Sequence, residues 1–459
     1  MQLDWNQIDR FLVGEAWVGS RIDAHLTMLC DTIGERWASS PSEWRAVNYL
    51  RDQLSESGLA NATLEAYQLD SWRWSAASAQ IIENDQTVPI LPFNRCPPFE
   101  LTAHLVDVGF GTPRELAEQR ERLPGSIAVT ALGFEPFTPP QPLSGRLSGL
   151  AQAGAQAAIV TDRKEGGRVE YHSAGDWIDP GPDEHPLPTV AVAREGGALL
   201  RKRAQQGRSA RLLVESEFYS APAHNVVAEL PGARWADEHL VLGGHHDTVY
   251  GTVGGNDNSS GTIVVLETAR VLAQLQRELG VQPGRTIRFV TYSAEEQTLQ
   301  GSYAYVTRHY GPEPAPRLAI NLDELATGPI KGLVLAFPHL RSLIQQQFNA
   351  MGDGLKCHVM AQLDYSSDHY PFIRAGIDAA FLWRWRFADR HPDSDFHHEA
   401  GDTIDKVRPR ELKEYVGQLA RLLLRLSHIS PQAWPANPVV VDEVLARLER
   451  ERGQVVRVY

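Results

Sequence analysis

Apolar positions recur along this chain with two different periods. After Ser40-Pro41-Ser42-Glu43, the residues Trp44, Val47, Leu50 and Leu54 fall at helical spacing, and Gly58 ends the run. Ser40 can cap this helix, Pro41 suits its first turn, and Glu43 can complete a capping box. A strand is expected near residues 64–69. A second helix is expected over residues 262–275, with Ile263, Leu266, Ala269, Val271 and Leu272 mostly on one side. Around it stand short apolar runs: Leu240-Val241-Leu242, then residues 287–292, 318–322 and 379–383. Strand, loop and helix in alternation predict an α/β domain with a largely parallel sheet flanked by helices.

The texture differs from residue 75 to 221. A Pro-rich loop at 134–142 precedes an Ala/Gly-rich segment, 147–158, read as a helix running into Ala158-Ile159-Val160. Short strands are expected at 126–129 and 188–192. This segment is read as a smaller domain, 75–221, inserted into a discontinuous one made of 1–74 and 222–459.

Composition narrows the function classes. A chain of 459 residues exceeds one ordinary core, so two domains are expected. A formal net charge of -13 speaks against a general nucleic-acid or anionic-membrane binder. Asp4, Asp9, Arg10 and Glu15 interrupt any apolar signal core, and no run of about 20 apolar residues spans a membrane, so a cytoplasmic protein is expected. Cys30, Cys96 and Cys357 show no CxxC spacing, which leaves neither a disulfide framework nor a thiolate zinc site.

The candidate chemistry sits after the expected strands. His245 follows the first, Glu295-Glu296 the second, Asp323 ends the third, and His398 lies in the loop after the fourth. In open α/β sheets, ligands gather outside the carboxyl ends of strands. Imidazole nitrogen and carboxylate oxygen both suit zinc. Asp257, on the Gly-rich loop Gly255-Asn256-Asp257-Asn258-Ser259-Ser260-Gly261, is the best candidate for bridging two ions, because a carboxylate offers two oxygens. Asp257 is equally placed to cap the helix beginning near Ser260. Of the adjacent pair Glu295-Glu296, one can bind metal while the other moves a proton.

These motifs resemble peptidase family M28, the zinc aminopeptidases. The matching stretches are Gly244-His245-His246-Asp247, Asp257-Asn258-Ser259-Ser260-Gly261, Glu295-Glu296-Gln297-Thr298-Leu299-Gln300-Gly301-Ser302, Asn321-Leu322-Asp323 and His398-Glu399-Ala400-Gly401-Asp402-Thr403. The resemblance implies a phosphorylase/hydrolase-like fold and two zinc ions. His245 and Asp323 would bind one, Glu296 and His398 the other, with Asp257 bridging. Glu295 would be the general base and Asp247 would orient His245. His246 is the weaker histidine. The implied activity is removal of an N-terminal residue from a peptide substrate. A carboxypeptidase or other amide hydrolase on the same fold, or a non-catalytic receptor that kept it, are the alternatives. The inserted segment resembles a protease-associated (PA) domain.

Several residues stand apart. His397 occupies a place where the family often has Tyr, either as a hydrogen-bond donor to an oxyanion or as a solvated loop residue. Ser366-Ser367-Asp368-His369 matches a recurrent family segment, read either as a pocket border or as a hydrogen-bonded loop. In Trp383-Arg384-Trp385-Arg386, alternation places both arginines on one side, where they can meet a substrate carboxylate or solvent.

Overall fold

The computed structural model describes residues 3–451 apart from 136, 139–140, 174–185, 312, 327 and 383–394. Arg384 and Arg386 therefore lie outside the described residues. The chain divides into two compact units, Met1–Leu69 with Pro222–Glu449, and Asp70–Ala221.

The sheet of the first unit contains β1 (Ser209–Leu230, through residues 226–230), β2 (Trp235–His245), β3 (Arg285–Tyr292), β4 (Ala319–Asn321), β5 (Gly332–Leu335), β6 (His358–Ala361) and β7 (Ala379–Leu382). Their order is β6-β5-β7-β4-β2-β3-β1. Pairs β3/β2, β2/β4, β4/β7 and β5/β6 are parallel, while β3/β1 and β5/β7 are antiparallel. The expected α/β class with a mostly parallel sheet is what the chain adopts.

On one face α3 (Gly261–Leu279) and α6 (Pro409–His428) pack on the strands, α1 (Trp5–Val18) packs on both of these helices, and α2 (Pro41–Glu56) packs against α3. Ile263 and Leu266 of α3 join Leu240 and Leu242 of β2, Ile287 and Phe289 of β3, and Leu419 and Leu423 of α6 in one core. Truncating Phe289 to Ala in such a core costs about 3–5 kcal/mol. The alternate residue Tyr292 meets Tyr305 of α4 (Gln300–His309), ring centroids 5.7 Å apart, and Tyr305 meets Phe372 of α5 (Tyr370–Arg374). The sheet is thus covered on both faces, which is why its strands read as continuous apolar runs. No described helix is long and apolar enough to cross a membrane. The three cysteines are buried and free.

In the second unit, Phe99–Asp107, Ile127–Ala131, Ala157–Thr161 and Thr189–Val192 pair in parallel, in that order. Val106, Ala128, Leu147, Leu150 and Val160 form its core. The helix expected to reach Ala158 covers only Leu143–Gln152. Gly154 adopts φ +90 and turns the chain into the strand Ala157–Thr161, so part of the expected helix is turn and strand.

Candidate metal centre

Strand register brings the chemistry to one edge. His245, the last residue of β2, pairs with Tyr292 at the end of β3, and Asn321 at the end of β4 pairs with Gly243. Residues just past these ends, Glu295, Glu296 and Asp323, therefore emerge beside His245. The loop before α3 adds Asp257, and the loop before α6 adds His398. The backbones approach so closely that a Cβ on Gly244 would lie 2.4 Å from the Leu322 carbonyl oxygen. Glycine at 244 is required by that contact. Ala294 and His398 are non-glycine residues in the left-handed region, at φ 57 and φ 55, and both flank the centre.

Asp257 lies between the two histidines. Its Oδ1 is 3.2 Å from His245 Nε2, and its Oδ2 is 3.3 Å from His398 Nε2. His245 Nε2 is also 3.4 Å from Asp323 Oδ1, and His398 Nε2 is 3.0 Å from Glu296 Oε2. Two donors about 2.0–2.1 Å from one tetrahedral zinc lie about 3.3 Å apart, so both groups have the spacing of a metal's ligand shell. Glu295 Oε2 is farther from His245 Nε2, at 3.9 Å. The chain thus offers nitrogen and oxygen donors that fit metal ions.

Burial dominates the electrostatics. It pushes Glu295 well above the usual carboxylate range, Glu296, Asp323 and Asp368 add to this, and His245 opposes it. Burial also raises Glu296, against the pull of His398. Burial alone would lower His245, but Glu295 and the carboxylates of Asp247, Asp257 and Asp323 hold it well above its ordinary value. Burial would raise Asp257, yet hydrogen bonds from His245, His397 and His398 keep it far below. Crowded buried carboxylates of this kind suit divalent cations, which supply the missing positive charge.

Asp247 braces the site from behind. Its carboxylate oxygens accept the N–H groups of Glu295 at 3.1 Å and Glu296 at 3.3 Å, while Oδ1 lies 3.4 Å from His245 Nδ1. His246 points elsewhere: its ring lies 3.3 Å from Glu43 Oε1 and 3.0 Å from Thr291 Oγ1. Glu43 also accepts the Ser39 N–H at 2.6 Å, so its side chain does not close the expected box on Ser40, although Ser40 Oγ does accept the Glu43 N–H. The cap of α3 is corrected too. Asn258 Oδ1, not Asp257, accepts the Gly261 N–H at 2.9 Å, because Asp257 faces the histidines.

His397 stacks on His398 with ring centroids 3.7 Å apart. Its Nδ1 lies 3.1 Å from both Asp257 Oδ2 and Glu324 Oε1. Glu324 was not singled out in the sequence, though Asp323-Glu324 is a second acidic pair at a strand end. Ser367 Oγ accepts from Asn321 Nδ2 at 2.8 Å, which ties the Ser366-Ser367-Asp368-His369 segment to the end of β4. Asp368, fully buried, is pushed up to about 7 by burial.

Residues 225–423 match the sequence model of peptidase family M28. That stretch contains His245, Asp257, Glu295, Glu296, Asp323 and His398. It is 24% identical over 400 residues to carboxypeptidase Q of Bos taurus, covering 84% of this chain and 81% of that protein. To a probable leucine aminopeptidase 2 of Aspergillus oryzae it is 29% identical over 351 residues, covering 73% of this chain and 66% of the other. The fold resembles that of BSAP, a zinc aminopeptidase from Bacillus subtilis, with TM-score 0.73, 21% identity, and coverage of 92% of this chain and 97% of that one. The acidic histidine cluster thus lies in the part of the chain that resembles a family of peptidases.

Proposed function

We propose that this protein is a zinc-dependent exopeptidase of the M28 type that removes N-terminal residues from peptides. The observation that carries the reading is Asp257, whose two oxygens face His245 and His398 separately. A carboxylate shared by two ions has this disposition. His245 and Asp323 would hold one ion, Glu296 and His398 the other, and Asp257 both. Zinc is favoured by the nitrogen and oxygen donor set and by the likeness to BSAP.

Bound zinc supplies a Lewis acid for the scissile carbonyl and water of lowered pKa. Glu295, buried and close to the cluster without matching its ligand spacing, takes the proton from the attacking water. As the new C–O bond forms and the C–N bond breaks, Glu295 returns that proton to the leaving amine. Asp247 keeps the His245 ring oriented and fixes the Glu295 backbone. The second unit is proposed to be a PA-like insertion.

A second reading, a carboxypeptidase, is favoured by the similarity to carboxypeptidase Q. One panel separates them: the zinc-supplemented protein with a free peptide, its N-acetylated form and its C-terminally amidated form. The aminopeptidase reading expects loss of cleavage on acetylation and retention on amidation. The reverse pattern establishes the carboxypeptidase, and no cleavage of any peptide, with zinc bound, rejects both.

A further inference from the structure

The loops that carry His245 and Asp257 converge on one buried guanidinium. Arg36 is fully buried and lies outside the region matched to the family. Its Nε donates to the His246 carbonyl at 2.7 Å. Its Nη1 donates to the carbonyls of Leu29 at 3.1 Å, Gly34 at 3.0 Å and Val253 at 2.8 Å. Its Nη2 donates to Ser259 Oγ at 2.9 Å, and its own backbone N–H donates to Thr248 Oγ1 at 2.9 Å.

The positions of these partners matter. His246 follows His245 directly, Val253 lies four residues before Asp257, and Ser259 lies two after it. One rigid plane therefore holds both loops. Each acceptor of the guanidinium among these bonds is neutral; burial opposes its charge, and the nearby carboxylates of Asp247, Asp402 and Asp257 favour it. An apolar side chain would fill the space but leave these carbonyls without a donor. The planar fork serves several fixed acceptors at once, which a flexible ammonium cannot do.

We propose that Arg36 is a positioning residue of the metal centre, setting the separation of His245 and Asp257 by holding His246, Val253 and Ser259 in one guanidinium plane. This rests on the reading of His245 and Asp257 as metal ligands. Glu43 grips the ring of His246 from the same N-terminal segment, so residues 36–43 brace the ligand strand from two directions.

The test compares the full-length protein with Arg36→Lys and Ser259→Ala. Zinc per chain, zinc affinity, the visible spectrum of the cobalt-loaded protein, kcat, KM and the unfolding curve are measured for each. Arg36→Lys is expected to weaken zinc about 10–100-fold. It should also lower kcat about 100-fold with KM little changed and an altered cobalt spectrum, at a temperature where the protein is fully folded. Ser259→Ala should move the same quantities in the same direction by less. If Arg36→Lys does not fold, Ser259→Ala decides alone. Wild-type zinc affinity, spectrum and kcat in the folded variants overturn the proposal while leaving the two-ion reading intact. A wild-type protein that binds no zinc overturns both.

Discussion

Asp402 holds Asp257 through the backbone. Asp402 Oδ2 accepts the Asp257 N–H at 2.9 Å, and its Oδ1 accepts the neighbouring Asn256 N–H at 2.8 Å. Asp402 is buried and lies four residues after His398. The loop bearing one imidazole thus grips the loop bearing the carboxylate that this imidazole faces.

Removing that grip should loosen the metal centre. Asp402→Ala leaves two buried N–H groups without their acceptor, at a cost of about 1–3 kcal/mol each. Metal affinity is expected to fall about 10–100-fold. Chelator competition on the purified variant measures this, and unchanged affinity would show that the loop keeps its shape without Asp402.

Glu295 is where the proposed proton transfer can be told apart from metal binding. It belongs to one possible donor group with His245 and Asp323, yet its oxygen is 3.9 Å from His245 Nε2 where Asp323 is at 3.4 Å. We favour the base role on that difference. Glu295→Gln is expected to lower kcat about 100–10,000-fold with zinc content unchanged by elemental analysis. Loss of one zinc instead would make Glu295 a ligand.

Acid stability should depend on Glu267, inside α3. Burial alone would raise this carboxyl. The His25 ring 3.7 Å away, and hydrogen bonds from Arg270 and the Arg21 N–H, hold it at about 2, against an ordinary 4.5. The folded state therefore binds this proton less readily than the unfolded one. The associated stability is fully present above about pH 4.5 and is lost as pH falls through about 2. A shift of this size corresponds to about 3 kcal/mol. Denaturant unfolding from pH 6 to pH 2 should show a shallower decline for Glu267→Gln than for wild type. Parallel curves would assign the acid sensitivity to other carboxylates.

Much of the architecture was legible because burial on both sheet faces writes itself as short apolar runs. Leu240-Val241-Leu242 marks β2, and Ile287 to Tyr292 marks most of β3. The chemistry was legible as residue types at strand ends, which is how His245, Asp257, Glu295, Glu296, Asp323 and His398 could be named together. The helix expected over 147–158 lies instead at Leu143–Gln152, because Ala and Gly suit both a helix and the turn that follows it.

The sequence by itself determined the strand-and-helix order and which donor-bearing residues stand near strand ends, since periodicity and loop position are local properties. Only the tertiary structure decided which oxygen of Asp257 faces which imidazole, that Asn258 rather than Asp257 caps α3, and that His246 turns to Glu43. It alone revealed Arg36, whose partners are mainly backbone carbonyls, those of His246 and Val253 brought in from more than 200 residues away. Such carbonyls are common to every residue, so no pattern of side chains announces where a buried guanidinium will find them.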